Sequence, residues 1–220
     1  MNYVKMIDHT LLKADATKQQ IEKLCSEAKE YGFYSVCVNS GFVAECKELL
    51  RDSEVKVCTV VGFPLGAMSR EGKTMEAQFA IDDGADEIDM VINIGRLKSG
   101  EWDYVKGDIE SVIQVIKGKA ILKVILEICL LTEEELRQAC IVCKELGVDF
   151  VKTSTGFSKG GATVEAVSIM RQMVGNKIGV KASGGVKTLE DVEKMIQAGA
   201  NRIGTSSGVQ IIKSVKGNSL

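Results

Sequence analysis

Two hydrophobic rhythms alternate along this chain. Runs rich in Val, Ile and Leu, with small or charged residues at every second position, read as strands at 5–10, 34–39, 55–62, 87–93, 121–127, 150–155, 178–183 and 202–206. Between them, apolar residues three and four apart read as helices, as with Ile21, Leu24, Cys25 and Ala28 behind a Thr17/Gln20 capping box. A recurrent phrase links helix to strand: Tyr31-Gly32-Phe33, Asp83-Gly84-Ala85, Leu146-Gly147-Val148 and Ala198-Gly199-Ala200. Each glycine can stop a helix in the left-handed conformation. Regular alternation of this kind predicts parallel strands, and eight of them favour a closed (β/α)8 barrel over an open doubly wound sheet. The expectation is one α/β domain over 1–215, with 216–220 as a flexible C-terminal tail.

Strand parity then places charge where apolar residues would be ordinary. Lys152 shares a face with Phe150 and Ser154, Lys181 with Gly179 and Ser183, and Asp89 lies opposite Ile88 and Met90. Outer faces must be apolar because helices cover them, so these polar side chains are expected to point into the barrel. In the fifth strand Lys123 and Glu127 repeat the pattern opposite Leu122, Val124 and Leu126. Unpaired charges there would destabilise the interior, and barrel enzymes gather catalytic groups at the C-terminal ends of their strands. A lysine becomes a nucleophile when its amine is neutral near pH 7, which desolvation and a second nearby cation both promote. Lys152, with Lys181 as that cation and Asp89 as proton relay, suits Schiff-base chemistry on a carbonyl compound. A buried structural ion-pair network is the plainer alternative.

Glycine and small hydroxyls follow the last two strands, in Ser183-Gly184-Gly185-Val186 and Gly204-Thr205-Ser206-Ser207-Gly208. Loops in those places commonly hold phosphate through backbone N–H groups, so a small phosphorylated carbonyl compound is the expected ligand. Cys37 and Asn39 share the face of Ser35 and stand as possible cavity residues, whereas Trp102 and Phe63-Pro64 carry no specific signal.

Composition narrows the choice. The 28 Lys and Arg against 30 Asp and Glu give a net charge of −2 with no basic run, which argues against nucleic acid or anionic membrane as partner. No stretch reaches the roughly 18 apolar residues of a membrane helix, and 1–10 lacks the apolar core of a signal peptide, so the cytoplasm is the expected compartment. Seven scattered cysteines read as reduced small hydrophobes, Cys140 and Cys143 included, since their C-x-x-C lies within a helical run. A single histidine, His9, rules out a His-rich zinc site and falls out of phase with Asp8 and Thr10, on the helix-facing side.

With these motifs the chain resembles the deoxyribose-phosphate aldolase family in its shorter bacterial and archaeal form. The match runs from Ile7-Asp8-His9-Thr10 through Val60-Val61-Gly62-Phe63-Pro64-Leu65-Gly66, Glu87-Ile88-Asp89-Met90-Val91-Ile92-Asn93, Leu122-Lys123-Val124-Ile125-Leu126-Glu127, Val151-Lys152-Thr153-Ser154-Thr155-Gly156-Phe157 and Val180-Lys181-Ala182-Ser183-Gly184-Gly185 to Gly204-Thr205-Ser206-Ser207. The resemblance implies a class I aldolase that reversibly cleaves 2-deoxy-D-ribose 5-phosphate to D-glyceraldehyde 3-phosphate and acetaldehyde in deoxyribose phosphate catabolism, without metal or other cofactor. It makes Lys152 the Schiff-base lysine and Lys181 with Asp89 the proton-transfer pair. Thr155, Gly184, Gly185, Gly204, Ser206 and Ser207 become substrate and phosphate contacts, and a homodimer or larger homo-oligomer is expected. On this scheme the iminium is the electron sink while the C3–C4 bond breaks. Two departures stand out: Phe157 occupies a position where longer members can carry lysine, and the C-terminus lacks the tyrosine those members use. A pyridoxal-phosphate barrel and a non-catalytic phosphometabolite-binding barrel remain the competing readings.

Overall fold

The computed structural model describes residues 2–217. Eight strands, β1 (Ile7–Leu11), β2 (Ser35–Val38), β3 (Lys56–Val61), β4 (Glu87–Val91), β5 (Ile121–Ile125), β6 (Phe150–Lys152), β7 (Gly179–Ser183) and β8 (Arg202–Thr205), form a closed barrel in sequence order. Every neighbouring pair is parallel, and β8 returns to β1 with Asp8 opposite Gly204. The strands are connected by helices α1 (Lys18–Tyr31), α2 (Val43–Leu49), α3 (Arg70–Asp82), α4 (Ile94–Lys98), α5 (Trp102–Ile116), α6 (Glu133–Leu146), α7 (Val164–Val174) and α8 (Leu189–Gln197), and α9 (Gly208–Gly217) follows β8. The expected (β/α)8 architecture is therefore present. No helix among the described residues is long and apolar enough to cross a membrane.

Local sequence accounts for the punctuation. Thr17 and Gln20 close a reciprocal capping box on α1, and Thr132/Glu135 and Thr188/Asp191 do the same on α6 and α8. Gly32 and Gly147 end α1 and α6 in the left-handed conformation at φ 71° and 69°, which side-chain-bearing residues resist. Outward strand residues such as Val36, Ile88, Val124, Val151, Val180 and Ile203 are fully buried beneath the helices. His9 is also outward: it is buried, its Nε2 lies 2.8 Å from Glu27 on α1, and its ring meets Phe33. Behind β4, Lys73 ties α3 to α5 by pairing with Asp108 at 2.5 Å and donating to the Val91 carbonyl.

Strand ends differ from the sequence expectation. Residues 3–6 coil into a 3-10 turn, so β1 begins at Ile7. Strands β5 and β6 stop at Ile125 and Lys152, after which single backbone bonds continue the contact, Leu126 N–H to the Lys152 carbonyl and Thr153 N–H to the Lys181 carbonyl. The chain leaves the ladder where it begins to build loops. Helix α9 extends through Gly217 into the segment expected to be a tail, while 218–220 lie outside the described residues.

At the N-terminal end of the barrel the Arg202 guanidinium lies 3.6 Å from the Tyr34 ring centroid and 5.1 Å from that of Phe150. Phe150 fills the space beside Gly179, where an added Cβ would come within 2.1 Å of the ring. Gly179→Ala is expected to cost about 1–3 kcal/mol by overpacking. Thermal unfolding checks this, at roughly 2–4 °C per kcal/mol for a chain of this size; an unchanged midpoint would mean that the ring can move aside.

Candidate active site

Side chains from seven strands converge inside the barrel. Asp89 of β4 lies at the centre: its Oδ1 accepts from Lys123 Nζ (β5) at 2.7 Å, and its Oδ2 accepts from Lys152 Nζ (β6) and Lys181 Nζ (β7), each at 2.8 Å. Lys181 also pairs with Asp8 of β1 at 2.5 Å, and Lys123 with Glu87 at 2.6 Å. Arg202 of β8 bridges Asp8 and Glu87, each at 3.0 Å, and Ser35 of β2 donates to Asp8 at 2.7 Å. All of these residues are buried.

The sheet register explains the convergence. Lys152 is opposite Lys181, Lys181 opposite Arg202, and Asp89 opposite Lys123, so inward positions of adjacent strands stack into one layered cluster.

Burial alone would push the Asp8 and Asp89 carboxyls up, but the lysines around them, with Arg202 beside Asp8, more than offset it and hold both below the usual carboxylate range. Burial likewise opposes charge on Lys181 and Lys123, yet the carboxylates outweigh it and raise both above the ordinary lysine value. Lys181 is thus a cation already matched by Asp8, not the bare second charge that sequence parity suggested. The cluster sets four cations, Lys123, Lys152, Lys181 and Arg202, against three carboxylates, Asp8, Glu87 and Asp89. Among the lysines of the cluster, Lys152 has a single carboxylate partner and is the one that lines an open cavity.

That cavity, of about 270 Å³, lies at the C-terminal end of the strands. It falls just below the roughly 300–1,000 Å³ of pockets for drug-sized ligands, so its occupant is small. Lys152, Thr155, Gly184, Gly185, Gly204 and Ser206 line it. Gly184 and Gly185 have φ of 85° and 81°, and Gly184 is held by Ala162 N–H, which donates to its carbonyl at 2.9 Å. Among the described residues the N–H groups of Gly185 and Ser206 have no protein acceptor. The side chains of Lys13 and Lys187 reach the same rim and are exposed. Free N–H groups, a following helix N-terminus at α9 and two cations make an anion cradle. Across the mouth, Phe157 meets Phe63 edge-on, with ring centroids 5.2 Å apart.

Comparison with known proteins fits this geometry. The family model described as DeoC/LacD family aldolase matches residues 3–214. The chain belongs to this family. A deoxyribose-phosphate aldolase of Geobacillus sp. (strain WCH70) is 62% identical over 218 residues, covering 99% of this chain and 98% of its own length. One from Thermococcus gammatolerans is 58% identical over 219 residues, covering 98% and 97%. Among solved structures, the tetrameric deoxyribose phosphate aldolase of Aeropyrum pernix superposes with a TM-score of 0.87 at 34% identity, covering 97% of this chain and 90% of that one.

Within this DeoC/LacD family barrel, Asp89, Lys152 and Lys181 meet directly, and Thr155, Gly184, Gly185, Gly204 and Ser206 line the cavity above them. Ser207, expected as a phosphate contact, lies outside the lining, and its N–H is taken by Thr205 Oγ1 at 3.0 Å. Sequence reasoning missed the bridging role of Arg202 and Glu87, although parity with Gly204 and Asp89 could have revealed it. It also missed Lys13 and Lys187, because loop side chains have no parity to read. Cys37 sits in a small apolar cluster with Leu12, Cys58 and Val60. Cys37, Cys58 and Asp89 bring donor atoms within 4.8 Å of one another. Lys123 Nζ already occupies that corner, 2.7 Å from Asp89 and 3.3 Å from Cys58, so the donor set suits an ammonium and not a second cation.

Proposed function

We propose that this protein is a class I aldolase that reversibly cleaves 2-deoxy-D-ribose 5-phosphate to D-glyceraldehyde 3-phosphate and acetaldehyde, with Lys152 as the Schiff-base lysine. The observation that carries the reading is one amine, Lys152, set between a buried cluster of four cationic and three acidic side chains and an anion cradle. The names of the relatives supply the substrate.

The neutral Lys152 amine attacks C1 of the open-chain sugar, and loss of water leaves an iminium. Carbon balance fixes the bond that then breaks. Acetaldehyde carries two carbons, so the break is at C2–C3, correcting the C3–C4 expectation; a C3–C4 break would release a three-carbon fragment instead. The C3 hydroxyl gives up its proton, the C2–C3 electrons move onto C2 and into the iminium, and D-glyceraldehyde 3-phosphate departs. The remaining enamine takes a proton at C2, and water releases acetaldehyde from Lys152. Asp89, 2.8 Å from both Lys152 and Lys181, is within reach to carry protons in the carbinolamine and enamine steps. The iminium is itself the electron sink, so this scheme needs neither metal nor pyridoxal phosphate. Gly184, Gly185, Gly204 and Ser206 hold the phosphate, with Lys13 and Lys187 in place of the lysine that longer relatives can carry where Phe157 stands. Removing either lysine is expected to raise KM for the phosphorylated sugar severalfold, most strongly at low salt; an unchanged KM in both variants would remove them from the cradle.

A homo-oligomer completes the proposal. The Aeropyrum relative is described as tetrameric, and Met75 and Phe79 stand exposed one turn apart on α3.

The test is the intact mass of the protein after incubation with deoxyribose 5-phosphate and borohydride, followed by peptide mapping. A two-carbon adduct on Lys152 is the expected result, since it reports both the Schiff base and carbon–carbon cleavage. A folded protein without adduct would favour a binding barrel, and a yellow protein with bound pyridoxal phosphate would favour the cofactor enzyme.

A further inference from the structure

One buried carboxylate near the mouth stands apart from the charge cluster. Glu127 lies just beyond β5, is 2% exposed, and is the one non-glycine residue with positive φ among those described, at φ 55° and ψ 59°. Side-chain-bearing residues resist this left-handed backbone, so the turn needs a compensating contact. It has one: the carboxylate reaches the loop that follows β6. There Glu127 Oε1 accepts the Thr155 N–H at 3.3 Å, and Oε2 accepts a short hydrogen bond from the Thr155 hydroxyl.

Thr155 lines the cavity beside Lys152 and is 7% exposed. A threonine hydroxyl has one hydrogen and two lone pairs. Here the hydrogen goes to Glu127, and one lone pair takes the Phe157 N–H at 3.0 Å. What remains for a ligand is a single lone pair, so Thr155 Oγ1 can only accept. An ionised carboxylate imposes that polarity because it has no hydrogen to offer in return.

We propose that Glu127 is a positioning residue that sets substrate choice through Thr155: by fixing Oγ1 as an acceptor, it selects an aldehyde bearing a hydroxyl between its carbonyl and its phosphate. This rests on the aldolase reading, in which that group is the 2-hydroxyl of D-glyceraldehyde 3-phosphate, C4 of the sugar. In the deoxy analogue 3-oxopropyl phosphate, the lone pair of Thr155 has no donor to meet.

The test runs the reaction in the direction of synthesis, with acetaldehyde as donor and either phosphorylated aldehyde as acceptor. Glu127→Gln keeps the shape but lets the amide donate to Oγ1, which frees the hydroxyl hydrogen to turn toward the ligand. The ligand hydroxyl must then accept, and its own hydrogen loses Thr155 as acceptor, so kcat/KM for D-glyceraldehyde 3-phosphate is expected to fall severalfold while the deoxy acceptor is little changed. Borohydride trapping of Lys152 by acetaldehyde alone should persist. Thr155→Val, which keeps Glu127 but removes the hydroxyl that it holds, should show the selectivity loss at least as strongly, and the double variant should be no worse than Thr155→Val.

Equal losses for both acceptors, no loss for either, or independent multiplying losses in the double variant would overturn the proposal and leave Glu127 as a prop for the turn. Absence of any acetaldehyde adduct in the unaltered protein would overturn the aldolase reading itself and this proposal with it.

Discussion

Lys152→Ala is expected to lower turnover of deoxyribose 5-phosphate by at least about 10⁴-fold and to abolish borohydride trapping, because no other amine opens onto the cavity from within the cluster. The variant should nevertheless fold. Asp89 keeps its hydrogen bonds from Lys123 and Lys181, and the truncated cluster sets Lys123, Lys181 and Arg202 against Asp8, Glu87 and Asp89, three charges against three. Urea unfolding alongside the assay separates the two effects. Normal turnover by a folded Lys152→Ala protein would sink the Schiff-base assignment.

Asp89→Asn is expected to do the reverse to stability. Asparagine takes from Lys152 its one carboxylate partner and leaves Lys123 and Lys181 with only Glu87 and Asp8, and breaking such a buried ion pair from one side costs about 3–5 kcal/mol. The cost should follow pH in a definite direction. Asp8 and Asp89 are held below the ordinary carboxylate value in the folded protein. Above about pH 4 the unfolded chain is ionised at these positions too, and their contribution to stability is whole. As pH falls further, the unfolded state takes up protons that the folded state refuses, and the contribution drains away. Lys181 and Lys123 are raised, so theirs is whole below about pH 10 and is lost as pH climbs toward the folded values. Stability against pH should therefore show a plateau between these limits, with an acid shoulder that is shallower in Asp89→Asn. Identical acid limbs in the two proteins would show that Asp89 does not contribute to acid resistance.

Most of the barrel was legible because its strands obey one rule on each face. Val151 and Val180 must be apolar to lie beneath helices, which isolates Lys152 and Lys181 as exceptions that point inward. Glycines 32 and 147 marked helix ends because a left-handed cap favours their type. Legibility ended where regular backbone ends. Glu127 continues the parity of Lys123 in sequence, yet its left-handed turn carries it out of the strand and onto Thr155, which alternation cannot foresee. Ser207 looked equivalent to Ser206, but Thr205 captures its N–H. The bridge from Arg202 to Asp8 spans 194 residues, and only barrel closure creates it.

That bridge bears on how the protein is made. Synthesis proceeds from the N-terminus, so Asp8 emerges early while Lys181 and Arg202, its two cationic partners, emerge last. Until β7 and β8 close against β1, Asp8 has neither of these cations and the interior of the incomplete barrel is open to water. The charge cluster is completed by the same event that seals the fold.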